Sequence, residues 1–215
     1  MKTKAIIMQP WGVRAILDGR KTQTRRVVKP QPPPCNGTGR MHFIVCSTSR
    51  ADEGRFEFRH ADPEGNVFAV RRETKLWSAR CPYGAPGDLL WLRETWATPT
   101  RSDEPVYRAD DDTTPGICWR PSIFMPRWAS RLTLRITNVR VERVQEITYG
   151  ACIAEGLDMS DVDYQPGWDV SKWVDIWDSI NAKRGYSWES NPWVWVVEFE
   201  PIHENVDRVM EREAS

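Results

Sequence analysis

The first 28 residues constrain the fold more tightly than any other stretch of this chain. Residues 5–9 read as a short buried strand. Pro10 suits the start of a helix, because its φ is preset and its missing N–H would have no helical partner there. Trp11, Val13, Ala15, Ile16 and Leu17 then lie on one apolar face, and Gly19 supplies a stop signal. Residues 22–28 return as a second strand, so one helix is enclosed between two strands within a single small unit.

Further along, residues 30–86 have the composition of an insertion. The run Gln31-Pro32-Pro33-Pro34-Cys35-Asn36-Gly37-Thr38-Gly39 is incompatible with regular structure. Residues 42–47, 55–60 and 67–73 are short strand candidates, the last two joined by a hairpin loop over 62–66. Residues 81–88 form a tight loop feeding a strand over 89–96, and residues 98–127 read as irregular. The long strand expected over 131–144 carries Leu132, Leu134 and Ile136 on one parity but Val139 and Val141 on the other. A bulge near Thr137-Asn138 restores a common inward face. A short helix over 148–154 follows. Residues 170–182 place Val170, Trp173, Val174, Trp177 and Ile180 at helical spacing, a stripe that belongs in a core. Residues 193–199 are apolar on both faces and predict a central strand. Many short strands with few helices predict an α+β class built on a mixed sheet that is either curled or closed into a small mixed β-barrel, with flanking helices and an inserted β-hairpin region. One domain over 1–203 and a polar tail over 204–215, either a frayed helix or disordered, complete the expected organisation.

Composition narrows the function classes. No apolar run is long enough to cross a membrane, and the N-terminal apolar stretch is too short for a secretory signal. Five cysteines, scattered and without a CxxC pair, together with three histidines, make no zinc pattern and read as reduced cytoplasmic thiols. No metal or other cofactor is expected, and Gly-rich phosphate loops are absent. The net charge of zero hides an asymmetry: residues 1–80 carry 16 Lys/Arg against 7 Asp/Glu, whereas residues 151–215 carry 5 against 14. The basic half either attracts phosphate or packs against the acidic half, and both readings stand. Arginine outnumbers lysine 23 to 7, and tryptophan occurs 12 times, a combination suited to phosphate contact and ring stacking as well as to barrel filling.

Chemistry concentrates at Leu17-Asp18-Gly19-Arg20-Lys21-Thr22-Gln23-Thr24-Arg25-Arg26. Arg20 and Lys21 can complement a helix C-terminus. On the strand, Thr22, Thr24 and Arg26 face one way and Gln23 and Arg25 the other. Lys21 has the wrong parity to meet Thr24 unless it lies in the turn before the strand begins.

Residues 16–25, Ile-Leu-Asp-Gly-Arg-Lys-Thr-Gln-Thr-Arg, resemble the signature of the ASCH domain, a branch of the PUA-like β-barrel superfamily. Gly87-Asp88-Leu89-Leu90-Trp91-Leu92-Arg93-Glu94-Thr95 and Trp193-Val194-Trp195-Val196-Val197-Glu198-Phe199 are similar to later strands of that pattern. With Trp119-Arg120-Pro121-Ser122-Ile123 and residues 126–131, the whole resembles the longer ASCH proteins common in phages and prophages. The resemblance implies a cleft facing RNA or a nucleoside at one end of the barrel. Some small bacterial members are amidohydrolases that remove the acetyl group of N4-acetylcytidine with a Lys, a Thr and a Glu. Lys21 and Thr24 match that motif, and Glu155 in Ala154-Glu155-Gly156 is the best match for the carboxylate, with Glu146 and Glu94 as rivals.

On this reading Lys21, Thr24 and Glu155 are catalytic, and Arg20, Arg25, Arg26, Trp91, Arg93 and Glu94 contact the nucleic acid or nucleoside. Glu94 is either half of a buried ion pair or a reader of a base edge. Trp91 either stacks on a base or fills the core. The expected partner is RNA or a modified nucleoside, with no membrane. The competing expectations are a non-catalytic RNA-binding module and a metal-independent ribonuclease.

Overall fold

A computed structural model describes residues 1–32, 40–44, 55–61, 67–68, 78–99, 104–110, 113, 115–160 and 170–214. The loop expected over 62–66, most of the Pro-rich run and Asp111-Asp112 lie outside the described residues. In chain order the elements are β1 (Thr3–Ile7), α1 (Pro10–Leu17), β2 (Gln23–Val27), β3 (Arg40–Ile44), β4 (Arg55–Ala61), β5 (Val67–Phe68) and β6 (Ser78–Arg80). They continue with β7 (Leu89–Arg93), β8 (Trp96–Ala97), β9 (Val106–Tyr107), β10 (Thr133–Arg143), α2 (Tyr149–Ala154), α3 (Ser171–Asn181), β11 (Trp193–Ile202) and α4 (Val206–Ala214). Among the described residues no helix is long and apolar enough to cross a membrane.

The class is α+β. One mixed sheet runs β1-β7-β10-β11-β2, parallel between β1 and β7 and antiparallel elsewhere. The sheet is not closed: no backbone ladder joins β1 to β2. A single side chain spans that gap, Arg26 on β2 donating to the Ile7 carbonyl of β1 at 2.6 Å. The inserted region makes a separate antiparallel sheet in which β4 pairs with β3, β5 and β6.

The break in parity along β10 is a real bulge. Ile136 pairs with Phe199 and Asn138 with Glu198, leaving Thr137 as the extra residue. Leu134, Ile136, Val139 and Val141 consequently share one core with Val13 and Ile16 of α1 and with Trp195, Val197 and Phe199. The opposite face of β11, with Val194 and Val196, packs on Cys152 of α2 and on Trp173 and Trp177 of α3. Strand β11 is therefore covered on both faces and flanked on both edges, which is why its sequence is apolar throughout.

The strand expected over 89–96 ends at Arg93; Trp96–Ala97 pairs with Val106–Tyr107, inside the stretch expected as irregular, instead of continuing in the main sheet. The segment after His203 takes the helical alternative and is docked, not frayed. It forms α4, whose Val206 and Val209 are buried against Leu89, with Met210 beside them. Three apolar residues at 206, 209 and 210 suffice to dock a short helix when the rest of its surface is charged. Val209→Asp is expected to cost about 1.5–3 kcal/mol, the worth of a buried Val side chain. Hydrogen exchange should locate the loss in residues 206–214; unchanged protection there would show that the helix does not depend on this contact.

Candidate functional site

The site begins where α1 stops. The Ala15 carbonyl accepts the N–H groups of both Arg20 and Lys21 at 2.9 Å, and Gly19 turns the chain at φ +73°. Lys21 thus lies outside the alternation of β2, in the turn that the parity argument requires. It forms a lone antiparallel bridge with Glu155, the residue that caps α2. Thr22 fixes the junction: its N–H donates to the Ala154 carbonyl at 2.9 Å, and its carbonyl accepts from Phe199 N–H at 2.8 Å.

The Lys21 ammonium donates to Glu155 Oε2 at 2.8 Å and to the Glu155 carbonyl at 2.7 Å. Arg25 Nη1 donates to Glu155 Oε1 at 3.2 Å, and its Nη2 donates to Glu142 Oε2 at 2.8 Å. The Trp11 ring lies 5.5 Å from the ammonium, and the Trp173 ring 5.9 Å from the Arg25 guanidinium. Lys21 is 1% exposed, Glu155 2% and Thr24 4%. Burial pulls the Lys21 pKa below its ordinary value. The Glu155 carboxylate opposes that shift, and the Arg26 and Arg25 cations add to it. Arg25, a permanent cation, still donates to Glu155 when Lys21 gives up its proton.

Pairing across the β2–β11 ladder assigns the faces. Thr24 sits opposite Val197 and shares its face, toward the core around α1, whereas Arg25 sits opposite Val196 and faces α2 and α3. Among the described residues the Thr24 hydroxyl makes no hydrogen bond to the protein. Arg26, on Thr24's side, leaves its buried Nε without a partner, as does Arg25 Nε. An unpaired buried donor is costly, so each marks a place where an acceptor belongs. The nearby Cys152 thiol is pushed up to about 12 by burial and is not a thiolate.

One glycine makes this packing possible. Gly156 has φ +92°, and a Cβ there would lie 2.7 Å from Ala15 Cβ and 3.0 Å from Lys21 Cβ. Gly156→Ala is expected to lower stability by about 1–3 kcal/mol through strain and the close approach to α1. Urea denaturation reads this directly, and an unchanged midpoint would mean that the turn relaxes freely. Gly12 instead makes room for Met8, whose Cγ and Sδ would lie 3.0 and 3.1 Å from a Cβ there.

Comparison with protein-family models, curated proteins and solved structures finds no match. The site therefore stands on its own geometry. Of the three carboxylates weighed for Lys21, Glu155 is the one in contact. Glu146 accepts the Arg143 N–H at 2.8 Å. Glu94 is buried in a fork with Arg131 at 2.9 and 3.1 Å, which fits the ion-pair reading. Burial raises the Glu94 pKa, and Arg131 opposes the shift.

Trp91 and Arg93 are not gathered at Lys21, whereas Arg20, Arg25 and Arg26 lie around it in other roles. Trp91 packs beside Leu89, Val206 and Val209. Arg93 lies over the Trp91 ring at 5.4 Å and donates to the carbonyls of Ile123 and Met125. Arg20 bonds the Gly156 carbonyl and Asp18. Arg25, expected to meet phosphate, is enclosed and neutralised by two carboxylates. Glu142, Trp11 and the unpaired Arg26 Nε were not singled out from the sequence. Glu142 carries no local signal, because only the register of β10 against β11 and β2 brings it to Arg25.

Proposed function

We propose that this chain is an ASCH-type, PUA-like β-barrel protein that handles a modified nucleoside, acting as an amidohydrolase on N4-acylated cytidine. The observation that carries the reading is the enclosed Lys21–Glu155 pair, one ion pair away from Arg25 and at the root of the strand that bears Thr24. The sequence match over residues 16–25 supports the family. The curl that leaves β1 and β2 within reach of one arginine side chain supports a barrel. Free thiols at Cys81, Cys118 and Cys152 fit a reducing cytoplasm.

The chemistry follows from proton positions. Neutral Lys21 takes the proton of the Thr24 hydroxyl as its oxygen attacks the acetyl carbonyl. Arg26 Nε donates to the oxyanion that forms. Collapse of the tetrahedral centre breaks the C–N4 bond, and the proton held at Lys21 passes to the departing cytidine amine. Water then hydrolyses the acetyl ester of Thr24, releasing acetate. Glu155 positions the amine throughout. The test incubates the protein with N4-acetylcytidine and follows acetate and cytidine together. Both should appear in equal amounts. Absence of both would remove the hydrolase and leave the non-catalytic RNA-binding module.

A further inference from the structure

Three of the large apolar side chains left open to solvent fall within six residues. Ile123, Phe124 and Trp128 are exposed, Phe124 by 70% and Trp128 by 60%. They ride on two short turns, Ser122–Phe124 and Arg127–Ala129, held from behind rather than free to fold away. Trp96 meets Trp128 edge-on with ring centres 5.8 Å apart. Arg93 ties the first turn through the Ile123 and Met125 carbonyls. Asn205 Nδ2 ties the second through the carbonyls of Arg127, Trp128 and Ser130. Rings presented on a fixed backbone lose little freedom when something stacks on them.

The segment that carries these rings is itself basic. From Thr113 to Val141 the chain has five arginines and no Asp or Glu. Most of those arginines are neutralised by carboxylates from elsewhere, but Arg120 is not. Its guanidinium lies over the Trp96 ring at 5.4 Å and makes no ion pair among the described residues. Two residues beyond Trp128 begins an open groove of about 490 Å³ lined by Arg131, His203, Glu204, Asn205 and Arg208. Arg208 there is likewise exposed and without an ion pair among the described residues.

We infer that the Phe124–Trp128 face and the adjoining groove form a docking surface for single-stranded RNA. Two exposed rings offer sequence-tolerant stacking, and Arg120 and Arg208 supply unpaired cations for the phosphates between stacked bases. Glu204 in the same groove pairs with Arg212 at 2.7 Å through Oε2, and its other carboxylate oxygen can accept a ribose 2′-hydroxyl. A protein partner would leave both open arginines without a stated counter-charge. This surface takes a polymer, is separate from Lys21 and does not rest on the chemistry proposed there.

The experiment is fluorescence anisotropy with a labelled twelve-nucleotide single-stranded RNA, the DNA strand of the same sequence, and the RNA duplex. The single-stranded RNA should bind most tightly. Phe124→Ala and Trp128→Ala should each weaken binding roughly 5- to 150-fold. Arg120→Ala and Arg208→Ala should each flatten the dependence of log affinity on log salt by roughly 0.7. All four side chains are exposed, so unfolding is not the expected effect. Equal affinity of the Phe124→Ala/Trp128→Ala double variant and the parent would overturn the proposal. So would equal binding of the duplex or the DNA strand, or a parent dimer in sedimentation that Trp128→Ala dissolves.

Discussion

Glu155→Ala should lower the stability of this protein by roughly 3–5 kcal/mol, the range for removing one partner of a buried ion pair. For a chain of this length that corresponds to a fall in melting temperature of roughly 6–20 °C. The reasoning rests on what is left behind. Lys21 is almost wholly buried and loses its only carboxylate partner among the described residues; Arg25 keeps Glu142 at 2.8 Å. A second variant separates charge from packing. In Lys21→Met plus Glu155→Leu the stranded ammonium is gone, so the double variant should be more stable than Glu155→Ala alone. Guanidinium denaturation of the parent and both variants decides the matter. A loss under about 1 kcal/mol for Glu155→Ala would show that water reaches the pair.

Lys21→Met should reduce acetate release from N4-acetylcytidine by roughly 10²- to 10⁴-fold, the usual worth of a positioned proton acceptor. The pH dependence gives the sharper reading. Burial lowers the Lys21 pKa, so the neutral amine appears at lower pH than for a free lysine, and kcat/KM should rise through that lowered pKa to a plateau. Glu155 is the main influence raising that pKa, so Glu155→Gln should move the rising limb to lower pH, which a purely structural role would not do. The same shift has a sign in stability. The unfolded chain holds the Lys21 proton up to pH about 10.5, whereas the folded chain releases it earlier. Between those two pKa values the unfolded state binds more protons, so Lys21 contributes stability that grows as pH rises through that window. A rate profile that is flat with pH, or identical in Glu155→Gln, would exclude Lys21 as the base.

Much of this architecture is legible along the chain because its signals are local. The parity change between Ile136 and Val139 announces the bulge, since only an inserted residue keeps both halves of β10 facing one core. The Trp173–Trp177 stripe and the doubly apolar β11 announce their burial in the same way. The pairing of Lys21 with Glu155 spans 134 residues and was reached through a motif, not through spacing. Glu142 has no such signal, because it alternates with arginines on a strand and looks solvated until Arg25 is placed opposite. The docking of α4 escaped a reading by composition because two buried valines are outweighed there by charges. Trp91 and Arg93 sit in the right stretch but serve the turn at 121–126 and the last helix, which depends on how β7 lies against distant segments.

The seam between β1 and β2 has a bearing on how this protein behaves at high concentration. Each border of the main sheet is only five residues long. Arg26 occupies the carbonyl at the end of one border, and the Lys21–Glu155 bridge abuts the start of the other. A neighbouring molecule seeking to add its own strand finds short, partly occupied stretches flanked by lysine and arginine, so fibre-like growth along this sheet is disfavoured.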